Sequence, residues 1–321
     1  MKKKTVLLTI NPLIVETRKP STMRKFVTAL DKHFDLYLLP VTGYDFKRGR
    51  VRAFKRTKGG AFEDVGMMTP AADLWIVYSD GFYLDPRPFG FRVRRDYFNA
   101  QNELHHKHLD AGRIRRMVNT PEAEVKGMKS WLATLDFKKT RVIPTYVFSH
   151  IDEVHDLQKR KRRIVAKPDW GGACIGVQLL ADENSVVEFQ RKLERDGEDL
   201  SEYTFQEFRR GDEKRLWFAG GECVGGRRYR SRRTPWSEAG KDFKLSTYDK
   251  ISQDGFAADL AVARRMCELA DMDIGSVDFI GDEINEINGG GTVFTVYNGN
   301  TLLVDTRPAY IKYFQQLADS L

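Results

Sequence analysis

Cysteine is scarce. The 321 residues hold three, Cys174, Cys223 and Cys267, widely spaced and odd in number. They match no zinc-ligand spacing and no disulfide framework, which fits a reducing, cytoplasmic setting. Long apolar runs are missing too. None reaches the roughly 20 residues a membrane helix needs, so no membrane partner is expected. The basic start Met1-Lys2-Lys3-Lys4 leads into a strand-like run rather than a signal-peptide core. Two nucleotide signatures are also lacking. No Gly-x-x-x-x-Gly-Lys-Ser/Thr occurs, and no Gly-x-Gly-x-x-Gly follows an early strand. Neither a P-loop nor a dinucleotide site is therefore expected. There is no Ser/His/Asp series, no internal repeat and no low-complexity tract.

What is present describes a soluble globular chain, with 41% hydrophobic and 31% charged residues. Its length suits two or three domains. The net charge of +8 favours acidic partners: nucleotides, carboxylates or nucleic acid. Val6–Ile10 reads as a buried strand. A helix capped at Ser21 or Thr22 follows, with Met23, Phe26, Val27 and Leu30 at helical spacing, then a strand at Leu36–Leu39. That is a parallel crossover unit. Lys47 to Gly60 reads as a hairpin or loop excursion. Leu74–Tyr78 and Arg116–Asn119 read as strands around a helix from Phe98 to Ala111. His105, His106 and His108 on that helix read as a solvated face.

Beyond Pro121 a helix is expected through Lys129 to Leu135, then an extended stretch at Pro144–Phe148. Ser149 caps a helix ending in the basic run Lys159–Arg163. That run reads as a solvated helix end rather than a nucleic-acid contact, for no aromatics interleave it. Ile164–Lys167 and Val177–Leu180 are strands around the loop Gly171-Gly172-Ala173-Cys174-Ile175-Gly176, and Asp182 caps a helix. Thr204–Phe208 is a strand. Arg215–Ala219 and Cys223–Tyr229 form a hairpin turned at Gly220-Gly221. Ser231 to Ser252 is polar and irregular, and a helix spans Gly255 to Leu269. Pro308 opens the last helix.

The stretch Gly275 to Thr292 carries the chemistry. Two apolar runs split by Gly281-Asp282 form a hairpin. Alternation lets Asp278, Glu286 and Asn288 share one face. Two carboxylates and an amide oxygen on a rigid hairpin suit Mg²⁺ shared with nucleotide phosphates. Lys167 stands directly before the Gly-rich loop, where backbone N–H groups and a lysine charge can meet phosphate oxygens.

The order of these pieces is more specific than any one of them. It runs Lys129, Lys167 with its Gly loop, Gln206-Glu207-Phe208, Asp212-Glu213-Lys214-Arg215, Arg230, Asp278, and Glu286-Ile287-Asn288. With Asn11-Pro12 and Val118-Asn119-Thr120-Pro121, the series resembles the ATP-grasp superfamily over nearly the whole chain. It looks most like the bacterial glutathione synthetase branch. The resemblance implies an α/β (α+β) chain with the ATP-grasp fold behind an open α/β pre-ATP-grasp domain. Residues 1–120 would form that domain, 121–204 the lid subdomain and 205–321 the catalytic subdomain.

The resemblance also implies a reaction: a carboxylate takes the γ-phosphoryl group of ATP, an amine attacks the acyl phosphate, and an amide forms. ADP and phosphate leave. Lys129 and Lys167 would contact the phosphates, with Lys126 one turn earlier as an alternative to Lys129. Gly171 and Gly172 would close over them. Gln206, Glu207 and Phe208 would meet the adenine through their backbone, and Glu213 or Asp212 the ribose. Arg215 and Arg230 would hold the acyl phosphate or the substrate carboxylate. Asp278, Glu286 and Asn288 would hold Mg²⁺, or Mn²⁺ in its place. The partners implied are a small-molecule or peptide carboxylate, an amine, and further copies of the chain in a dimer or tetramer; nucleic acid is not among them.

Three departures separate this chain from glutathione synthetases: Gly289-Gly290-Gly291-Thr292 after Asn288, the composition of Ser231–Ser252, and Tyr78-Ser79 where the family has a basic pair. All three lie in regions that face substrate in the family. They leave room for a RimK-like ligase acting on a peptide or protein tail; the +8 charge motivates a third reading, a catalytically silent nucleotide- or nucleic-acid-binding protein, against which the complete set of metal ligands argues.

Overall fold

A computed structural model of the chain describes residues 3–16, 22–77, 86–169, 176–230, 242–246, 248–253, 255–289, 295–298 and 301–321. Among the described residues four sheets follow one another, the last of only two strands. The first is built from β1 (Thr5–Ile10), β2 (Asp35–Pro40), β3 (Tyr44–Asp45), β4 (Arg50–Arg56), β5 (Phe62–Met68), β6 (Ala72–Val77) and β7 (Ile114–Val118). The order is β3-β4-β2-β1-β6-β7, with β5 paired to β4. β1 runs parallel to both β2 and β6, and β6 parallel to β7. Side chains of β1 alternate between two cores. Val6, Leu8 and Ile10 pack with Phe26 and Leu30, whereas Leu7 packs with Trp75 and Leu39. Both faces are covered, as a parallel sheet requires. The helices responsible are α1 (Leu13–Glu16), α2 (Thr22–His33) and α3 (Arg94–Asp110).

Helices α4 (Pro121–Lys126), α5 (Lys129–Leu132) and α6 (Phe137–Thr140) lead into the second sheet. That sheet comprises β8 (Thr145–Tyr146), β9 (Ile164–Pro168), β10 (Gln178–Leu180) and β11 (Tyr203–Glu207), in the order β10-β9-β11-β8. α7 (Ile151–Lys161) and α8 (Glu183–Asp196) cover one of its faces through Val154, Leu157, Val186 and Phe189. The third sheet has β12 (Glu213–Ala219), β13 (Glu222–Arg230), β14 (Asp242–Ser246), β15 (Ile274–Ile280) and β16 (Glu283–Asn288), in the order β14-β13-β12-β15-β16. α9 (Tyr248–Ile251) and α10 (Ala257–Ala270) precede β15, and α10 covers one face. β17 (Thr295–Asn298) and β18 (Thr301–Asp305) pair with each other. α11 (Arg307–Asp319) then returns to the first core, where Tyr310 and Phe314 pack with Phe26.

Several local expectations change. Of the two readings of Lys47 to Gly60 the hairpin is the one found: the stretch enters β4–β5, closed by a bond from Thr57 N to Ala61 O of 2.8 Å, with a register shift between Ala53 and Phe54. The helix expected from Lys129 to Leu135 is shorter, ending at Leu132 as α5, and a separate helix, α6, starts beyond it where the Asp136 carboxylate accepts from the Lys138 N–H at 3.1 Å. His150, not Ser149, takes the N-cap of α7, and Glu153 accepts from the N–H groups of Ser149 and His150. Part of Ser231–Ser252 is regular: β14 pairs with β13, and α9 follows. Tyr78-Ser79 and residues 231–241 lie outside the described residues. His105 and His108 are buried, not solvated; the Tyr44 hydroxyl lies 3.1 Å from His105 Nε2, and the Gly49 carbonyl takes His108 Nε2 at 3.0 Å. Only His106 meets solvent, beside Glu122.

Candidate active site between two sheets

The second and third sheets each bury one face beneath helices. Their other faces carry the polar residues. On β9, Ile164 and Ala166 join the helix-covered core, so Val165 and Lys167 turn the other way. On β11, Tyr203 and Phe205 do the same, which turns out Thr204 and Gln206. On the third sheet Leu216, Phe218, Val277 and Phe279 face α10. Arg215, Ser276 and Asp278 then share the opposite face.

Register does the rest. Arg215 stands opposite Asp278, Asp278 opposite Glu286, and Ser276 opposite Asn288. Arg215 donates from Nε and Nη2 to the two oxygens of Asp278, a bidentate pair. Its Nη2 is 3.7 Å from Glu286 Oε1. Asn288 Nδ2 lies 3.4 Å from both Asp278 Oδ2 and Glu286 Oε1. Lys129 Nζ, at the start of α5, is 4.0 Å from Glu286 Oε2. Asp169 holds that helix end: its Oδ1 accepts from Ser130 N at 2.7 Å, and its backbone oxygen from Lys129 Nζ at 3.4 Å. Of the two lysines considered, Lys126 pairs instead with Asp271, and Lys129 is the one beside the acids.

Charge and burial compete here. Burial pushes the Asp278 carboxyl up, to about 7, against the pull of Arg215, and neighbouring Glu286 adds to the rise. Burial opposes ionisation of Glu286 as well, but Lys129, Lys167 and Arg215 outweigh it and hold that carboxyl down at about 2. Burial likewise works against the charge on Arg215, and Asp278 more than offsets it. Among the described residues no cluster of three His, Cys, Asp or Glu occurs, and the donor set is two carboxylates and one amide. Its oxygens suit a hard cation. A cation there needs Asn288 turned so that its oxygen faces inward, and Arg215 drawn off part of Asp278.

The second sheet closes over this face. Lys167 Nζ donates to Gln206 Oε1 and, at 2.7 Å, to Asn285 Oδ1 on β16. Gln206 Nε2 donates to Thr145 Oγ1 at 3.1 Å and to the Asn285 backbone oxygen at 3.0 Å. Its backbone sits in the β11 ladder, opposite Val165 and Thr145, so the Gln206 side chain is what bridges the two sheets. The N–H groups of Glu207 and Phe208 are already bonded, to Pro144 O and Arg163 O. The Glu207 carboxylate lies against Lys161 at 2.7 Å and Arg209 at 3.1 Å. Asp212 is paired with Arg228 at 2.7 Å, and Glu213 with Arg227 at 3.6 Å. Arg230 ends β13 opposite Asp242, and it is Arg227 that stands across from Arg215. Gly171 and Gly172 lie outside the described residues.

Asn285, Thr145 and Asp169 are given no site role by the sequence, and Arg227 belongs there only to a cluster of arginines. Asn285 had a signal. Ile284 and Ile287 are both buried, yet they are three apart, which strict alternation in a strand forbids. The register shift between Asp278 and Phe279 resolves this: Asn285 is the extra residue of a β-bulge.

No protein-family model and no curated protein matches the sequence. Solved structures match over the full length. The ATP-grasp ligase PsnB, complexed with a minimal precursor, superposes with a TM-score of 0.61 at 13% identity, over 99% of each chain. D-alanine–D-alanine ligase from Bacillus anthracis gives 0.59 at 12% identity, over 98% of this chain and 96% of that one. D-cycloserine synthetase DcsG gives 0.58 at 14%, over 98% and 99%. The chain has the ATP-grasp fold. Among the described residues no helix is long and apolar enough to cross a membrane.

Proposed function

We propose that the protein is an ATP-dependent carboxylate–amine ligase working through an acyl phosphate. One observation carries this reading: Asp278, Glu286 and Asn288 converge on one sheet face with Arg215 and Lys129, and Lys167 reaches in from the facing sheet. Phosphoryl transfer is catalysed mainly by positioning and charge neutralisation, and the described residues that meet here are cations and acids. Similarity of fold to several ATP-grasp ligases supports the same class.

In this reading Lys129 and Lys167 bind the ATP phosphates, and Gly171-Gly172 closes over them. The segment Gln206–Phe208 borders the adenine, and Glu213 or Asp212 the ribose. A substrate carboxylate oxygen attacks the γ-phosphorus as the bond to ADP breaks. Arg215 and Arg230 hold the acyl phosphate. The amine nitrogen then attacks the acyl carbon, the C–O bond to phosphate breaks, and the amine gives up a proton. Asp278, Glu286 and Asn288 would hold Mg²⁺, which supplies charge neutralisation on the phosphate oxygens. The units would be 1–120, 121–204 and 205–321, the last two enclosing the nucleotide.

A glutathione synthetase-like substrate pair is the first finer reading. A peptide-directed ligase is the second, favoured by the likeness to a ligase complexed with a peptide precursor. The test is product release from ATP and Mg²⁺ across amino acids, dipeptides and acidic peptides. ADP and phosphate, released only with a carboxylate and an amine present, are expected. AMP and pyrophosphate would remove the acyl-phosphate reading.

A further inference from the structure

Asn288 turns the donor end of its amide to the acids. Its Nδ2 lies 3.4 Å from both Asp278 Oδ2 and Glu286 Oε1. A hard cation takes oxygen ligands and is repelled by an N–H pointed at it. The amide must therefore turn over before its oxygen can serve, and turning sends the NH₂ group to the other side. In a buried cleft that group needs an acceptor, or the turn strands a donor.

The backbone leaves Asn288 little other freedom. Gly275 on β15 lies so close that a Cβ there would stand 2.7 Å from the Asn288 carbonyl oxygen. The next residue is confined as well: a Cβ on Gly289 would meet Glu124 Oε1 at 3.2 Å and Asn119 Nδ2 at 3.6 Å. Rotation of the side chain is what remains.

One residue is placed to receive the turned amide. Ser276 stands directly across from Asn288 in the β15–β16 register, and Asp278, two positions on, stands across from Glu286. The register shift begins only beyond Asp278, so the two pairs stay in step. Side chains directly opposite have Cβ atoms about 4.5–5.5 Å apart, within reach of a hydroxyl and an amide. Ser276 is fully buried, and among the described residues its Oγ has no hydrogen-bond partner. A buried hydroxyl without a partner is uncommon and destabilising. A hydroxyl can accept from the NH₂ group without bringing a further charge to the acids.

We propose that Ser276 is a positioning residue for the metal: its hydroxyl accepts from Asn288 Nδ2 once the amide has turned, and so holds the amide oxygen toward the cation. This rests on the reading of Asp278, Glu286 and Asn288 as metal ligands. Before the turn the hydroxyl is unpaired; after it, hydroxyl and amide satisfy each other.

The experiment is calorimetric titration of the full chain with an ATP analogue whose β and γ phosphates are joined by an imido group, once with Mg²⁺ and once with EDTA. The ratio of the two affinities is the gain that the metal brings. Ser276→Ala should cut that gain about tenfold, as losing a residue that orients a metal ligand does, and leave the affinity in EDTA unchanged. Without metal, the same variant should unfold in urea at or above the wild-type midpoint, because it loses a buried hydroxyl that had no partner. A merely structural serine would give the opposite sign. In an Asn288→Asp background, where the carboxylate presents an oxygen whichever way it turns, Ser276→Ala should no longer change the gain. An unchanged gain in Ser276→Ala, an equal loss in EDTA, a lower midpoint without metal, or the same loss in the Asn288→Asp background overturns the inference while the ligase reading stands. A wild-type chain to which Mg²⁺ brings no gain takes down the metal site and the inference together.

Discussion

Arg215 on β12 and Asp278 on β15 face each other in register and share two hydrogen bonds, with Asp278 only 2% exposed. Neither charge is stable there alone. Arg215→Ala leaves a buried carboxyl without its partner, so the variant should lose about 3 kcal/mol or more of folding stability. Arg215→Lys keeps the charge but not the two-pronged geometry and should fall between. Urea denaturation midpoints measure both. A midpoint for Arg215→Ala equal to wild type would show that the pair contributes nothing to the fold.

Glu286 is held ionised by three cations, and in the proposed ligase it would help to hold the metal. Glu286→Gln keeps the shape and removes the charge. Turnover of ATP should drop by about a hundredfold or more, as when a single charge-stabilising group is removed. The circular dichroism spectrum should stay that of the wild type. ADP release in a coupled assay reads the first. Undiminished turnover would remove Glu286 from the metal site.

Acid should destabilise the first sheet through His105. Burial is the main cause that brings its pKa from 6.5 down to about 3, with His108 and His106 adding to it. The folded state therefore stays unprotonated at pH values where the unfolded chain binds a proton. Stability contributed by the neutral ring is complete above 6.5 and shrinks as pH falls toward 3, by up to about 1.4 kcal/mol per pH unit. Thermal midpoints between pH 7.5 and 4 should show this slope, and His105→Gln should flatten it. Equal slopes in both proteins would assign the acid sensitivity to other groups.

Asn119 joins the first sheet to the third. Its backbone is left-handed, at φ +54°, and its side chain bonds Asp273 N, Ile274 N and Ile274 O at 2.9 to 3.1 Å. Asn119→Gly keeps the backbone easy and loses the bonds, leaving buried polar groups unpaired at about 1–3 kcal/mol. Asn119→Ala loses the same bonds and adds about 1 kcal/mol of backbone strain. Alanine should therefore be the worse of the two in urea. The reverse order would mean that the left-handed turn costs nothing here.

Much of this was written locally. The alternation of β1, β9 and β11 and the Gly281-Asp282 turn can be read from short windows of sequence, because a strand's period depends only on its own backbone. So can the shared face of Asp278, Glu286 and Asn288. The order of the motifs carried the fold as well.

The partners of those residues needed the third dimension. Lys126 ends α4 and Lys129, three positions on, starts α5, and only packing sends one to Asp271 and the other to Glu286. The solvated histidine face holds for His106 alone of the three, because the chain around Tyr44 and Gly49 folds over α3 and buries His105 and His108. Asn285 is the sharpest case. Its direction depends on a bulge that relieves the spacing of Ile284 and Ile287, and on a lysine 118 residues away. Local periodicity sorts side chains between two faces; which residue of a distant sheet meets them is set by how the sheets pack, and no window of sequence contains that.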